Sequence, residues 1–331
     1  HRLIRRQRQM CIRDRLKWWA WLIIGICIGV ASASFIAISL MAAPKGGVEY
    51  VALIELSGTI SYTESPLSLF SGETLTPSQV EELVKEVELD PFAKAVVLVI
   101  NSPGGSAAAS EEIYQVIKKL AAEKIVVAYI AEYGASGGYY IALPSKMIVA
   151  SPHALTGSVG AVSVIINYAE LMEKLGIKAE VFKSGSLKDI GSPWREMTSE
   201  ERRIMQSIVN AIAKTFEERV RESRGDKIKS WDEVLTARPY LGAQALKIGL
   251  VDDVGSLDEA ISVARRLAGL PKTAPTKWIK PRKPGLLELL LGGTGETESM
   301  KLSYEVLMMW PLPTGITPDQ IITATTTQII K

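Results

Sequence analysis

The sequence has 331 residues, 47% of them hydrophobic and 22% charged, so it can bury a core and lacks the composition of a disordered chain. A net charge of only +2 gives no support for a nucleic-acid partner. Its only cysteines are Cys11 and Cys27, and its only histidines are His1 and His153. We therefore expect no cysteine protease, disulfide framework, metal site or other cofactor, and any covalent chemistry must come from Ser, Thr, Lys or carboxylates.

The N-terminal region predicts a transmembrane anchor over residues 16–45. An uncharged run between Lys17 and Lys45 exceeds the roughly 20 residues that a helix needs to cross a bilayer. Basic residues crowd the N-terminal side of this run, which predicts a single-pass protein of the cell membrane with a cytoplasmic N terminus. A cleaved signal peptide is the alternative, because small residues at 31–33 and 41–43 accompany the apolar run.

Residues 1–15 precede this run and are strongly basic. Within them, MCIRDR (10–15) resembles the translation of a sequencing-transposon end rather than a natural gene. The segment is interpreted either as non-native sequence or as a cytoplasmic leader.

From residue 46 onward, short apolar runs alternate with longer amphipathic ones, which is typical of βα units around a buried sheet. The predicted strands are 51–56, 95–100, 125–130, 147–150 and 179–182. The predicted helices are 76–88, 106–122, 137–143, 164–175 and 199–223. Beyond residue 270 the composition turns to Pro, Gly, Lys and Thr, which predicts a C-terminal tail over 271–331 after a domain over 46–270.

A first glycine-rich turn, NSPGGS (101–106), lies between a predicted strand and a predicted helix. Paired glycines let backbone N–H groups face outward without a Cβ in the way, and the adjoining helix start adds a favourable dipole. Such a turn is able to bind an oxyanion. A tight turn without any chemistry explains the motif equally well.

A second turn, YGASGGYY (133–140), again joins a strand to a helix. Small neighbours would let the hydroxyl of Ser136 sit at a sharp turn, with the N–H of Gly137 able to share in oxyanion binding, as in other nucleophile elbows. The alternative is that Ser136 only caps the following helix.

A serine nucleophile needs a base, and the sequence offers two candidates. His153 would complete a conventional triad, although a surface histidine is the ordinary outcome. Lys188 lies in a Gly- and Pro-containing loop, and a lysine acts as a base only if its pKa, normally about 10.4, is lowered by burial or nearby positive charge. The alternative for Lys188 is a solvated ion pair with Asp189.

Four segments together resemble the signal peptide peptidase A family in its short, membrane-anchored form. They are NSPGGS (101–106), GASGGYYIA (134–142), TGSVGA (156–161) and SGSLKDIGSPWREMT (184–198), in that order. The resemblance covers about residues 50–265. It implies an α/β fold of the Clp-protease and crotonase-like type, a βα superhelix preceded by one transmembrane helix, with a serine protease domain over residues 46–270 on the extracytoplasmic side.

The resemblance also implies the roles of individual residues. The implied site consists of Ser136 as nucleophile, Lys188 as general base, Gly105 and Gly137 as oxyanion donors, and Ser158 as the residue that orients the lysine. The triad histidine of Clp-type proteases would fall near Ala150, where this chain has no imidazole, and this favours a serine–lysine dyad. No metal or cofactor is implied.

The implied partners are peptide substrates, namely remnant signal peptides and similar hydrophobic segments. The family also implies a homo-oligomeric ring or dome in which neighbouring protomers supply the serine and the lysine of one site, and trimming of the C-terminal tail by the enzyme itself. We expect the turns around Tyr139 and Tyr140 to contribute to an apolar substrate pocket. The alternatives are an endopeptidase that cleaves a stomatin-like membrane protein, a crotonase-like acyl-thioester enzyme, and a non-catalytic crotonase-like scaffold.

Overall fold

The computed structural model describes residues 21–34, 47–63, 73–280 and 307–309. The chain divides into two compact units, His1–Val48 and Glu49–Lys331. In the first unit, residues 21–34 form a helix, α1. The remaining residues of the predicted anchor and the predicted leader lie outside the described residues. None of the helices in the described ranges is long and apolar enough to cross a membrane.

The second unit contains twelve strands and eight helices in its described residues. The strands are β1 (Tyr50–Ser57), β2 (Thr59–Ile60), β3 (Thr74–Leu75), β4 (Ala93–Ser102), β5 (Gly104–Ser106), β6 (Ile125–Ala135), β7 (Met147–Ala150), β8 (Leu155–Gly157), β9 (Pro239–Leu241), β10 (Asp253–Val254), β11 (Thr276–Ile279) and β12 (Leu307–Met309). The helices are α2 (Pro77–Glu88), α3 (Ala107–Glu123), α4 (Gly137–Tyr140), α5 (Ala169–Lys174), α6 (Ser199–Arg224), α7 (Trp231–Val234), α8 (Gly242–Ile248) and α9 (Leu257–Leu267).

The main sheet is built around parallel strands in the order β10-β7-β6-β4-β1-β11. Strand β8 extends it by pairing in parallel with the end of β6, and β9 pairs antiparallel with β8. A smaller mixed sheet has the order β12-β5-β2-β3. The predicted α/β class is therefore confirmed. Strand β11, which lies beyond the predicted domain end at residue 270, forms one edge of the main sheet.

Strand β4 explains why the sequence pattern of the sheet is so continuously apolar. Its residues Val96, Leu98 and Ile100 belong to the core that includes helices α2 and α3, whereas Ala95, Val97 and Val99 belong to a second core that includes α9. The sheet is thus covered by helices on both faces, as parallel sheets require.

The predicted elements of the βα core are confirmed, with ends that differ by a few residues. The predicted helix 164–175 is confirmed only over the shorter α5, and the predicted strand 179–182 is wrong because these residues belong to no strand. No residue from 160 to 190 is buried. Their apolar pattern therefore finds no surface to pack against among the described residues, and packing usually decides whether such patterns become regular structure. We call residues 160–190 the exposed arm.

Candidate active site

Ser136 lies at a sharp turn between the end of β6 at Ala135 and the start of α4 at Gly137. Its backbone angles, φ 54° and ψ −119°, are those of the first central residue of a type II′ turn, which is normally glycine. A serine held there stores backbone strain. The strain is maintained by hydrogen bonds: the Ser136 N–H donates to the Gly157 carbonyl at 2.8 Å, and the Ser136 carbonyl accepts from Tyr139 and Tyr140.

The hydroxyl of Ser136 is not used to cap the helix that follows it. Ser136 occupies the N-cap position of α4, but its side chain makes no capping hydrogen bond. The residue is only 2% exposed, and no hydrogen bond to its hydroxyl is present among the described residues. The capping interpretation of Ser136 is therefore excluded, and its hydroxyl is available for other chemistry.

The two glycine-rich turns are in direct contact beside Ser136. A Cβ added to Gly137 would lie 2.5 Å from the Ser110 hydroxyl oxygen and 3.3 Å from the backbone nitrogen of Gly105. A Cβ added to Gly105 would lie 2.0 Å from the carbonyl oxygen of Ile60. Because real Cβ atoms do not approach other atoms this closely, both positions require glycine. The structure thus brings together the two glycines that were predicted as oxyanion donors.

Ser158 lies next to the same turn. It directly follows β8, whose last residue, Gly157, accepts the Ser136 N–H. Ser158 is buried, has a positive φ of 53°, and donates its backbone N–H to the carbonyl of Arg238. The predicted lysine-orienting residue is therefore adjacent to the predicted nucleophile.

Lys188 is the one predicted site residue that the protomer does not bring into this cluster. It is exposed on the arm, and its backbone N–H donates to the Gly185 carbonyl at 3.1 Å. Its amine has no hydrogen bond or ion pair among the described residues, so the alternative of a solvated pair with Asp189 is excluded. His153 is also exposed, and no hydrogen bond links it to Ser136 in the described part of the chain.

Arg195 and the two carboxylates that it bridges are a feature that the sequence analysis missed. The Arg195 guanidinium forms an ion pair with Asp189 at 2.8 Å and another with Glu201 at 2.5 Å. Hydrogen bonds from Arg195 and Lys183 hold the pKa of Asp189 well below its usual range. Hydrogen bonds from Arg195 and from the Thr198 backbone lower the pKa of Glu201 to about 2. No short motif marks Asp189, Arg195 and Glu201 as a unit, because each is separated from the next by six positions in the chain.

The side chains of Tyr139 and Tyr140 are part of the core, and the contribution of the turns around them to a substrate pocket stays a prediction. Both rings are buried. The Tyr139 hydroxyl donates to the Leu250 carbonyl at 2.6 Å, and the Tyr140 hydroxyl donates to the Glu111 carboxylate. The Tyr140 ring also packs edge-on against Phe216 of α6. The two tyrosines therefore fix α4 to the core directly after Ser136.

The glycine-rich edge of β5 accepts a strand from the C-terminal region. Strand β12 pairs antiparallel with β5, with Met308 opposite Gly105. The predicted tail residues 281–306 and 310–331 lie outside the described residues. An extended segment can thus hydrogen-bond along the strand that contains a candidate oxyanion donor.

Two family models match the chain. One is described as peptidase family S49 and matches residues 118–271, and the other is described as a ClpP-like SDH-type serine proteinase and matches residues 44–180. The second match agrees with the predicted Clp-protease-like fold.

Similar proteins come from archaea, cyanobacteria and plants. A provisionally named protease of Methanocaldococcus jannaschii is 35% identical over 66% of this chain and 72% of its own length. Another, from Synechocystis, is 35% identical over 76% of this chain and 86% of its own. The chloroplastic serine protease SPPA of Arabidopsis thaliana is 32% identical over 76% of this chain, but only 37% of its length is covered.

Solved structures to which the chain is similar are more distant in sequence. The 1510-N membrane protease specific for a stomatin homolog from Pyrococcus horikoshii is 17% identical, with a TM-score of 0.39 over 74% of this chain and all of its own. A ClpP1 mutant from Listeria monocytogenes is 14% identical, with a TM-score of 0.39 over 63% and 94% of the two chains. At these scores the likeness carries no information about substrate or mechanism.

The strain at Ser136 leads to a prediction about stability. Replacing Ser136 by Gly should give a protein about 1 kcal/mol more stable than replacing it by Ala, because only Gly adopts this turn conformation without strain. The measurement is the free energy of unfolding in urea. Ser262, which is exposed within α9, is the matched control, and there the order should reverse because Gly weakens a helix by about 1 kcal/mol relative to Ala. Equal stability of the two Ser136 variants would show that the turn is unstrained.

Proposed function

Because the chain belongs to peptidase family S49, the signal peptide peptidase A family, and is a serine peptidase, we propose that it cuts hydrophobic peptides with Ser136 as nucleophile and Lys188 as general base. The observation that carries this proposal is the strained Ser136, whose hydroxyl makes no capping hydrogen bond and which lies where the two glycine-rich turns meet. Remnant signal peptides and similar apolar segments are the proposed substrates.

In the proposed reaction, neutral Lys188 takes the hydroxyl proton of Ser136 while the serine oxygen bonds to the carbonyl carbon of the substrate. The carbonyl electron pair moves onto its oxygen. When the tetrahedral intermediate collapses, the peptide C–N bond breaks and the leaving amine receives the proton from Lys188. Water then attacks the acyl-enzyme, with its proton passing through Lys188 back to the serine oxygen as the acid product leaves.

The backbone N–H groups of Gly105 and Gly137 are proposed to stabilise the charge that develops on the substrate oxygen. The support is the close approach of the two turns beside Ser136, in positions where no side chain fits. Donors that are fixed before the reaction are effective because they need no reorganisation as the charge forms. Ser158, which follows the strand beside Ser136, is proposed to orient the lysine amine.

We propose that the working site is completed by a second copy of the chain within a homo-oligomeric ring or dome. The amine of Lys188 is exposed and without a partner in the described residues of one protomer. The arm that carries it also exposes large apolar side chains, including Ile166 and Leu175 at 64% and Phe182 at 92%. Large apolar side chains exposed together on one segment favour a protein interface.

The proposed location is the cell membrane, with the N terminus in the cytoplasm and the catalytic domain on the extracytoplasmic side. The support is the uncharged run between Lys17 and Lys45 and the basic residues before it. Helix α1 lies within this run.

The edge of β5 is proposed to bind the substrate as an added β-strand. The support is the antiparallel pairing of β12 with β5 at Gly104 to Ser106. Backbone hydrogen bonds of this type give affinity without strict sequence preference, which suits an enzyme that acts on varied apolar peptides. The pairing also supports binding of the chain's own tail at the site, where the enzyme could trim it.

The dyad is tested with the full chain in detergent and an apolar peptide substrate. Ser136→Ala should reduce cleavage to background, and Lys188→Ala should lower kcat/KM by at least about 10²-fold, because a positioned general base contributes about that much. Co-expressing the two variants in equal amounts should restore activity at about one quarter of the sites in mixed rings. At these sites a Lys188→Ala protomer supplies the intact serine and its Ser136→Ala neighbour supplies the intact lysine. Full activity of Lys188→Ala would reassign the base.

The control for the mixing experiment is co-expression of Ser136→Ala with the double variant Ser136→Ala/Lys188→Ala, which contains no intact serine and should stay inactive. If the mixture of Ser136→Ala and Lys188→Ala forms rings but recovers no activity, serine and lysine act within one protomer.

Binding of the tail at β5 leads to a prediction about KM. A chain that ends at Lys280 should have a lower KM with little change in kcat, because a tethered strand competes with substrate at an effective concentration on the order of millimolar. A synthetic peptide covering residues 301–313 should inhibit the shortened chain competitively, whereas a scrambled peptide should not. An unchanged KM would show that the tail does not occupy the substrate strand position.

A further inference from the structure

We propose that Arg195 is a positioning residue for the reaction, because it clamps the turn that carries Lys188 to the start of helix α6. This inference rests on the proposed role of Lys188 as general base. The Arg195 clamp comprises Lys183, Asp189, Arg195 and Glu201.

The guanidinium of Arg195 binds two carboxylates at once, each through both of its oxygens. Its Nε and Nη2 donate to the two oxygens of Asp189 at 2.8 Å each. Its Nη1 and Nη2 donate to the two oxygens of Glu201 at 2.9 and 2.5 Å. Forked pairs of this kind fix direction as well as distance, which a single contact to a lysine would not.

Glu201 gives the clamp a rigid base. Its side chain is 2% exposed, and it accepts the N–H of Thr198 at 2.8 Å in the capping box that begins α6. Helix α6 has 26 residues and is anchored in the core through Phe216 and Val220. Glu201 therefore lies outside the arm, at the start of a continuous helix whose C-terminal half is anchored in the core.

At its other end the clamp holds the turn around Lys188 on both sides. The Asp189 carboxylate, directly after Lys188, also accepts from the Lys183 amine at 2.7 Å. That amine donates in addition to the Ser186 carbonyl at 3.0 Å. The carbonyl of Asp189 accepts from the Ser192 hydroxyl at 2.6 Å. The backbone on each side of Lys188 is thus tied down, although Lys188 itself is exposed.

The clamp also settles the charge next to Lys188. Two cations, Lys183 and Arg195, are matched by two carboxylates, Asp189 and Glu201, so the cluster is neutral as a whole. The neighbouring Glu196 pairs separately with Arg202. Since the pKa values of Asp189 and Glu201 are both lowered, the clamp is intact at neutral pH and is lost only as the pH falls toward those lowered values.

A positioning device is needed here because the amine of Lys188 makes no hydrogen bond or ion pair with the described residues of its own protomer. Lysine has a long flexible stem, so the position of its amine can be no more accurate than the position of its backbone. A misplacement of about 1 Å in a catalytic group costs on the order of 10²-fold in rate. A clamp that orients the backbone of Lys188 before assembly would let its amine reach the partner's serine.

The test measures cleavage and the covalent labelling of Ser136 by a fluorophosphonate in the full-length, assembled protein. Arg195→Gln should lower kcat and slow labelling by on the order of 10²-fold with little change in KM, because the lost interaction affects the reacting groups and not substrate binding. Arg195→Lys keeps the positive charge but cannot bind both carboxylates in forked pairs, so its kcat and labelling rate should lie between those of the parent and of Arg195→Gln. Arg202→Gln, which removes an exposed arginine paired at 3.4 Å, is the matched control and should behave like the parent.

The decisive comparison repeats Arg195→Gln and Arg195→Lys in a Lys188→Ala background. If Arg195 acts through Lys188, they should hardly change the residual labelling rate there, whereas a general structural role would slow labelling equally in both backgrounds. Equal slowing, or parent-like kinetics of Arg195→Gln, overturns the proposal. Should Arg195→Gln fail to fold, Arg195→Lys decides by the same comparison. Parent-like activity of Lys188→Ala alone would instead defeat the proposed function, so the two failures are distinguishable.

Discussion

The site depends on the contact between two glycine turns that belong to different strands of the sheet. Because Gly137 lies against Gly105, there is no room for a side chain at position 137, and next to it Ser136 has a backbone conformation that serine rarely adopts. The buried tyrosines of α4 and the hydrogen bond to Gly157 hold that conformation. Removing any of these supports would let the turn relax, so the position of the hydroxyl is a property of the whole core and not of a local motif.

The two halves of the proposed dyad are held in different ways. Ser136 is nearly inaccessible and is fixed by the main sheet, whereas Lys188 is exposed on an arm with no buried residue. The rigidity of the lysine half comes from charge pairs at the base of the arm. Such a division makes sense if activity is created only on assembly, because a single protomer then carries an exposed amine but no complete site. It also explains why the arm keeps its apolar side chains: in a ring they would face a neighbour rather than solvent.

The βα core and the turn at Ser136 could be predicted from sequence because they obey short-range rules. Strands such as 95–100 are continuously apolar since both faces are covered, and the capping pair of Thr198 and Glu201 marks the start of a helix. The exposed arm could not be predicted, because its helix and strand patterns lack a packing surface in one protomer. The Arg195 clamp was missed since nothing in the spacing of its residues reveals that they converge. In our proposal, the position of Lys188 relative to Ser136 depends on a neighbouring chain, which the pattern of one chain does not contain.

The measurement that tests the central claim most directly is the distance between the Ser136 hydroxyl oxygen and the nearest Lys188 amine in a structure of the assembled protein with a peptide bound. Our account predicts about 2.6–3.2 Å, as a working base and nucleophile require, with the amine shielded from solvent and supplied by a neighbouring protomer. An assembled, peptide-bound structure in which every Lys188 amine remains in solvent, beyond hydrogen-bond reach of every Ser136, would contradict it.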